Sequence, residues 1–299
     1  MLRFVVTLLA LSTLFVVSVQ GQDWHVSLYS HGSVPAIRLS DHEGPSKDVT
    51  FLTNNRIIPG VGIRYRHYGV DFSQGLSGVS RDDPELPPTK FVDLRTYYHG
   101  GRYGVEIYHQ YFRGFSLEDV SATSAPSYSS MSERTFNLNV FRGATKGSKV
   151  YHISEGIGKT GFKANLYYLA GISRLGFRSP VPLTDSTTDS SQVFGGMESI
   201  TAYGLFAGLG STLNLNLGGF YLDPTLFIGG GPQYRQSNVK IDENGAQVKV
   251  HLQFRTGFRG ERFDIGMAAE NDLNSIELPA RNSIDFHSIA VKIHAGLSF

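Results

Sequence analysis

The sequence predicts an all-β protein: a closed antiparallel transmembrane β-barrel of about 10 strands, following a cleaved signal peptide. Three observations predict it. The chain opens with an export leader, long stretches alternate strictly between apolar and polar residues, and 299 residues hold 34 Gly, 20 Phe and 15 Tyr but no Cys. Glycine and aromatic residues suit strands and tight turns better than long helices. At 40% hydrophobic and 18% charged, the chain is not a disordered tail. A formal net charge of +1 without a basic stripe excludes an electrostatic nucleic-acid binder. The absence of Cys excludes a disulfide scaffold, a thiol nucleophile, thiolate metal sites and a lipid-anchoring cysteine.

Met1-Leu2-Arg3 places a cation before the apolar run Phe4 to Val19, and small residues follow at Ser18-Val19-Gln20-Gly21. That is the pattern of a signal peptide over 1–21, with the mature chain starting near Gln22. The alternative, a membrane anchor helix, has a run barely long enough to span. Residues 22–59 then read as an N-terminal periplasmic segment and 60–299 as the barrel.

The clearest wall strand is the last. Ile289, Val291, Ile293, Ala295, Leu297 and Phe299 share one face, and Ser288, Ala290, Lys292, His294, Gly296 and Ser298 share the other. At about twelve residues it exceeds the usual globular strand of about five or six. Val248, Val250, Leu252, Phe254 and Phe258 repeat the pattern against Lys249, His251, Gln253 and Arg255. Phe263, Ile265 and Met267 repeat it against Arg262 and Asp264. Length with alternation is the membrane-barrel signature, whereas a soluble β-sandwich would show shorter strands. The uncharged stretch Ser199–Leu222 imitates a membrane helix, but Leu213-Asn214-Leu215-Asn216-Leu217 has a period of two, so a strand, turn and strand are expected.

These patterns place strands near 60–72, 89–99, 102–112, 134–143, 162–175, 199–213, 219–233, 246–258, 261–273 and 286–299. Segments 35–40 and 47–53 would make twelve by adding a pair. Links at 100–101, 214–218 and 259–260 are short, as periplasmic turns should be, and 73–88, 113–133, 176–198, 234–245 and 274–285 are long outward loops. The stretch 144–161 is too long for a periplasmic turn, so it either plugs the lumen or conceals extra strand. Asp242-Glu243-Asn244-Gly245 reads as a hairpin with Asn-Gly at its tip, and Gly229-Gly230-Gly231 as a place where the wall bends.

A two-residue turn at Gly260-Glu261 would set His251 opposite Glu270 and Lys249 opposite Asp272. A turn at Gly100-Gly101 would set Arg95 opposite Glu106 and Asp93 opposite Tyr108. Apolar residues then gather on one surface and opposite charges meet on the other, as in a barrel whose outside meets lipid and whose lumen is charge-paired. Phe299, with Leu297 and Ile293 before it, resembles the signal read by the outer-membrane barrel assembly machinery.

Asn54-Asn55 before Pro59-Gly60, then Gly62-Ile63-Arg64-Tyr65-Arg66-His67-Tyr68, carry a family resemblance. So do Thr89-Lys90-Phe91-Val92-Asp93-Leu94, Tyr97-Tyr98 and Gln110-Tyr111-Phe112-Arg113-Gly114-Phe115. Over roughly residues 36–180 the chain resembles a domain-of-unknown-function family (DUF4421-like) of bacterial outer-membrane β-barrel proteins. The resemblance implies a barrel in the outer membrane and no activity.

For chemistry, Asp285 and His287 share one strand face near the outer rim, where Asp could orient His as a base, with Asp82-Asp83 in the first outward loop. A solvated rim is the simpler reading of the same residues. His287 and Ser288 point to opposite faces and cannot share a site. The histidines His25, His31, His42, His67, His99, His109 and His152 lack metal-ligand spacing, and neither a metal nor a cofactor is expected. Tyr65, Tyr68, Tyr97, Tyr98 and Tyr103 fall near strand ends, at headgroup level. The expectation is therefore a small monomeric barrel in the outer membrane of a Gram-negative-type bacterium, with a structural or surface-interaction role and outer-membrane lipid as its surroundings. The alternatives are a narrow channel for small solutes, or a barrel hydrolase using Asp285 and His287 with Asp82 and Asp83.

Overall fold

A computed structural model describes residues 24–40, 49–54, 57–75, 89–117, 128–144, 160–183, 194, 196–241, 243–278 and 282–299. The leader and most of 144–161 lie outside them. Among the described residues there are fourteen strands: β1 Trp24–Ser40, β2 Val49–Thr53, β3 Ile58–Tyr65, β4 Tyr68–Gln74, β5 Lys90–Gly100, β6 Tyr103–Arg113 and β7 Phe115–Leu117. They continue as β8 Ser132–Gly143, β9 Gly161–Arg178, β10 Ser199–Leu217, β11 Phe220–Ser237, β12 Asn244–Arg259, β13 Phe263–Glu277 and β14 Ser283–Ser298. Every pairing is antiparallel, and β14 pairs with β1 from His25↔Ser298 to Ser40↔Ser283, which closes the sheet into a barrel. Closure leaves the ring no free edge for another chain to extend.

Twelve strands, all but β2 and β7, form the complete ring. Two departures from the expected ten explain the number. Trp24–Ser40 is a full wall strand that closes the ring, not part of a periplasmic segment. The stretch read as one strand over 60–72 is the hairpin β3–β4, turning at Arg66-His67 with Arg66 at φ 52°. A left-handed turn without glycine is uncommon and leaves no signature in the sequence.

The strand beside β1 is broken. Trp24 to His31 pair with β3, whereas Ala36 to Leu39 pair with β2. β2 in turn pairs with β7, which continues β6 past Gly114, a left-handed residue at φ 99°. β2 and β7 thereby carry the wall from β1 to β6 at the loop end. Thr89 stitches the junction, its hydroxyl donating to the Gly114 carbonyl at 2.7 Å and accepting from the Asn54 amide at 2.9 Å.

One end of the barrel carries the short turns Arg66-His67, Gly101-Arg102, Gly218-Gly219 and Gly260 to Arg262; we call it the turn end and the opposite one the loop end. At the turn end, β10 runs on through Leu217, past the expected end at 213, and Gly218-Gly219, both with positive φ, replace the expected link 214–218. The other two turns lie further along the chain than glycine placement suggested. Gly100 pairs with Tyr103, and Arg259 pairs with Asp264 across the longer link Gly260 to Arg262. Each register is slipped by two residues from the expected one. Because the side-chain period is two, every residue keeps its face while its partner changes. At the loop end, Asn244 and Gly245 already pair with Tyr234 and Gln233, so Asn-Gly starts β12 and is not the hairpin tip.

Outward positions are apolar and open: Leu205, Leu209, Leu226, Ile228, Leu252, Ile265, Ile289, Val291 and Ile293 are all exposed. Inward positions of the same strands are polar through most of the barrel. Lumen glycines seat rings there, since a Cβ on Gly60 would overlap the Tyr29 ring and one on Gly69 the Tyr97 ring.

Candidate functional site: the filled lumen

Strand alternation aims an ionic layer at the barrel axis. It consists of Asp71 of β4, Asp93 and Arg95 of β5, Glu106 of β6, Lys249 and His251 of β12, Glu270 and Asp272 of β13, and Lys292 of β14. The corrected registers set His251 opposite Asp272, Gln253 opposite Glu270 and Lys249 opposite Asn274. His251 Nδ1 stands 2.7 Å from Asp272 Oδ1, and Gln253 Nε2 donates to Glu270 Oε1 at 2.5 Å. Lys249 instead directs its ammonium over the Phe206 ring, 4.6 Å from the centroid. Tyr97, not Arg95, faces Glu106, yet Arg95 Nε reaches Glu106 Oε1 diagonally at 3.8 Å while its guanidinium lies over Tyr108. Lys292 Nζ sits 3.6 Å above the Tyr29 ring. Charges brought out of water require such partners, so these groups hold one another in place.

A second cluster lies nearer the turn end. Asp264 of β13 is gripped by two histidines, His25 Nε2 at 3.1 Å and His294 Nε2 at 2.9 Å, and the Tyr221 hydroxyl is 3.2 Å from the same His294 nitrogen. Asn165 Nδ2 donates to Asn214 Oδ1 and Asn214 Nδ2 to Asp223 Oδ1, tying β9, β10 and β11 together. Sequence reasoning missed the Asp264 cluster. Asp264 and His294 do share the inward face of the last two strands, but His25 joins them only once Trp24–Ser40 is recognised as wall.

The loop end of the lumen is mainly hydrocarbon, with Glu133 buried between Phe112 and Phe177 and Arg235 buried opposite Ala202. Among the described residues, twenty buried apolar side chains form one cluster there, including Ile37 and Leu39 of β1, Phe51 of β2 and Phe91 of β5. Phe112 of β6, Leu175 and Phe177 of β9, Ile276 of β13 and Phe286 of β14 complete its ring. A charge-paired lumen is thus only part of the interior, because inward positions switch from polar to apolar along each strand. Phe286, Ser288, Ala290, Lys292 and His294 record that switch on β14. Below this cap remain a cavity of about 80 Å³ beside Glu133, Asn137 and Asn139 and another of about 50 Å³ beside Tyr29 and Asp93. Both are far smaller than the roughly 300 Å³ at which small-molecule pockets begin, and they suit a few waters. Buried oxygens of Glu133, Asn137 and Asn139 without protein partners face the larger one, as water-filled space requires.

Asp285 and His287 lie on the outward face, on the side of the wall away from the lumen. Asp285 Oδ1 accepts from Ser275 Oγ at 2.5 Å, and His287 Nε2 is 2.8 Å from Asn271 Oδ1, so each has a separate partner. Asp285 therefore does not orient His287. Asp82 and Asp83 lie outside the described residues. Leu297 and Ile293 face outward and exposed, and the Phe299 backbone exchanges two hydrogen bonds with Trp24, at 3.0 and 3.1 Å.

No family model and no curated protein sequence matches the chain. Its likenesses among solved structures include the outer membrane protease OmpT of Escherichia coli, with a TM-score of 0.40, 10% identity and coverage of 95% of this chain and 99% of that one. Another is the β domain of the Bordetella autotransporter BrkA, with a TM-score of 0.40, 12% identity and coverage of 92% and 99%. A third is the Pseudomonas putida toluene transporter TodX, with a TM-score of 0.29, 10% identity and coverage of 94% and 91%. At these TM-scores the likenesses carry no functional weight, and the barrel rests on its own strand pairing.

Proposed function

We propose that this chain is a monomeric outer-membrane β-barrel of a Gram-negative-type bacterium, belonging with the family of unknown function that its 36–180 motifs resemble. Its wall and filled lumen serve as a rigid, non-conducting platform that holds loops at the cell surface, in a structural or surface-interaction role without catalysis. The observation that carries this reading is the inside-out arrangement of a closed wall. Aliphatic and aromatic side chains are exposed on the outside, while ions and amides are buried within. In water that arrangement would leave a continuous apolar belt uncovered, whereas acyl chains solvate it. On this reading the turn end faces the periplasm, and Phe299, Leu297 and Ile293 serve as the signal to the assembly machinery.

A narrow solute channel needs a wet path past the loop end, where the apolar cap stands. A hydrolase needs Asp285 on His287, and the two hold different partners. The test is fractionation combined with electrophoretic migration. The full chain should remain with the outer membrane after alkaline washing and migrate faster unheated than boiled, and in a planar bilayer it should give a flat current trace. Release by alkaline washing would overturn the location, and stable unitary currents would overturn the closed lumen.

A further inference from the structure

The outward face is not uniform at the loop end. Lys90 of β5, Arg113 of β6, Arg134 of β8, and Arg174 and Arg178 of β9 all point outward and are exposed. Register brings them together: Lys90 faces Arg113, Arg113 faces Ser132, and Ser132 faces Arg178, a row across four neighbouring strands about 4.8 Å apart. Arg134 stands one outward position below Ser132, opposite Tyr111, and its guanidinium lies over that ring at 5.2 Å. Arg174 lies over the Tyr203 ring at 5.8 Å. No carboxylate occupies the neighbouring outward positions of these strands, and among the described residues none of the five cations has an ion-pair partner. On the opposite side the same level is mixed, with Asp285 facing Arg38.

Phe136 stands level with Arg174 and His109, and below them, toward the turn end, the outward positions become apolar: Ile107 and Val105 on β6, Val140 on β8, Ile172 and Leu166 on β9. We propose that this face of β5, β6, β8 and β9 binds a multiply phosphorylated lipid of the outer leaflet, arginines on the phosphates and acyl chains along the wall beneath. The inference rests on the membrane reading above. Charge complementarity selects the occupant. Several cations with no counter-ion among the described residues, at the upper edge of an acyl-solvated belt, match anionic headgroups whose chains enter that belt. Guanidinium forks suit phosphate oxygens, and Tyr111 and Tyr203 hold two of them in place by stacking.

The experiment uses the full chain, purified in detergent and studied by native mass spectrometry with a bis-phosphorylated, hexa-acylated glucosamine disaccharide. The wild type should bind it, and the triple variant R113Q/R134Q/R178Q should bind about tenfold more weakly or worse. Removing both phosphates from the lipid should weaken wild-type binding comparably, whereas the R38Q variant should bind as wild type does. Inorganic pyrophosphate should fail to displace the lipid. Unchanged binding by the triple variant, or equal binding of the dephosphorylated lipid, would overturn the proposal; full displacement by pyrophosphate would reassign the face to a free anion. Heat-modifiable migration of the triple variant verifies its fold. Because the binding readout is separate from fractionation, a wild type that binds in a phosphate-dependent way but leaves the membrane on alkaline washing would sink the location alone.

Discussion

One wall encloses two different interiors. Toward the turn end, Arg95, Glu106, His251, Asp272 and Lys292 fill the lumen with charges that hold one another through hydrogen bonds, ion pairs and ring faces. Toward the loop end, Phe51, Phe91, Phe112, Phe115 and Met131 fill it chiefly by close packing, with Glu133 and Arg235 the charged groups buried among them. The ionic part fixes position because each charge has few acceptable partners. The apolar part excludes water and stabilises through buried area, with little demand on direction. A lumen built both ways is specific in the middle and mainly apolar at the loop end.

That contrast can be broken from either side, and the largest effect should come from the cap. Phe112→Ala removes a fully buried ring and should destabilise the barrel by about 3–5 kcal/mol. The readout is a lower temperature for conversion of the compact form to the unfolded one on unheated gels. Asp272→Ala strips His251 of its hydrogen-bonded carboxylate and should cost about 3 kcal/mol. Replacing His251 and Asp272 together by Leu should return most of that loss, measured by the same melting. If the single variant melts as wild type does, the middle of the lumen is wet and the contrast fails. Thr89→Val leaves the Asn54 amide and the Gly114 carbonyl without their shared hydroxyl and should cost roughly 1–2 kcal/mol. Least of all, His287→Ala on the outward face should shift stability by no more than about 0.5 kcal/mol. A collapse of folding there would mean that the His287 and Asn271 pair bears on the wall.

Much of this is legible from alternation alone. β9 to β14 announce themselves by a period of two sustained well beyond ordinary strand length, and faces read from that period survive an error in register. His251 and Asp272 both fall inward by their period, although a two-residue turn would match His251 to Glu270; the turn after Arg259 is longer than Gly260-Glu261 suggests. What escapes is whatever the period does not encode. β1 carries Ser30, Gly32 and Ala36 at outward positions, too small and polar to advertise a lipid-facing strand, and its identity emerges only when β14 needs a partner. The β3–β4 turn uses Arg66 where glycine would have signalled it. The apolar cap is hidden for a related reason. Phe286 and Ile284 continue the inward face of Lys292 and His294, and nothing in a two-residue period says where along a strand the barrel's filling changes.

The seam between β1 and β14 joins residues more than 240 positions apart along the chain, from Ser40 beside Ser283 to His25 beside Ser298. No shorter piece of the molecule possesses both lips of that joint. Until that pairing forms, β1 presents an open hydrogen-bonding edge, and the seam is the longest loop closure in the wall and entropically its costliest. A chaperone or assembly partner that shields Trp24–Ser40 before closure would be guarding an edge from which misassembly could start.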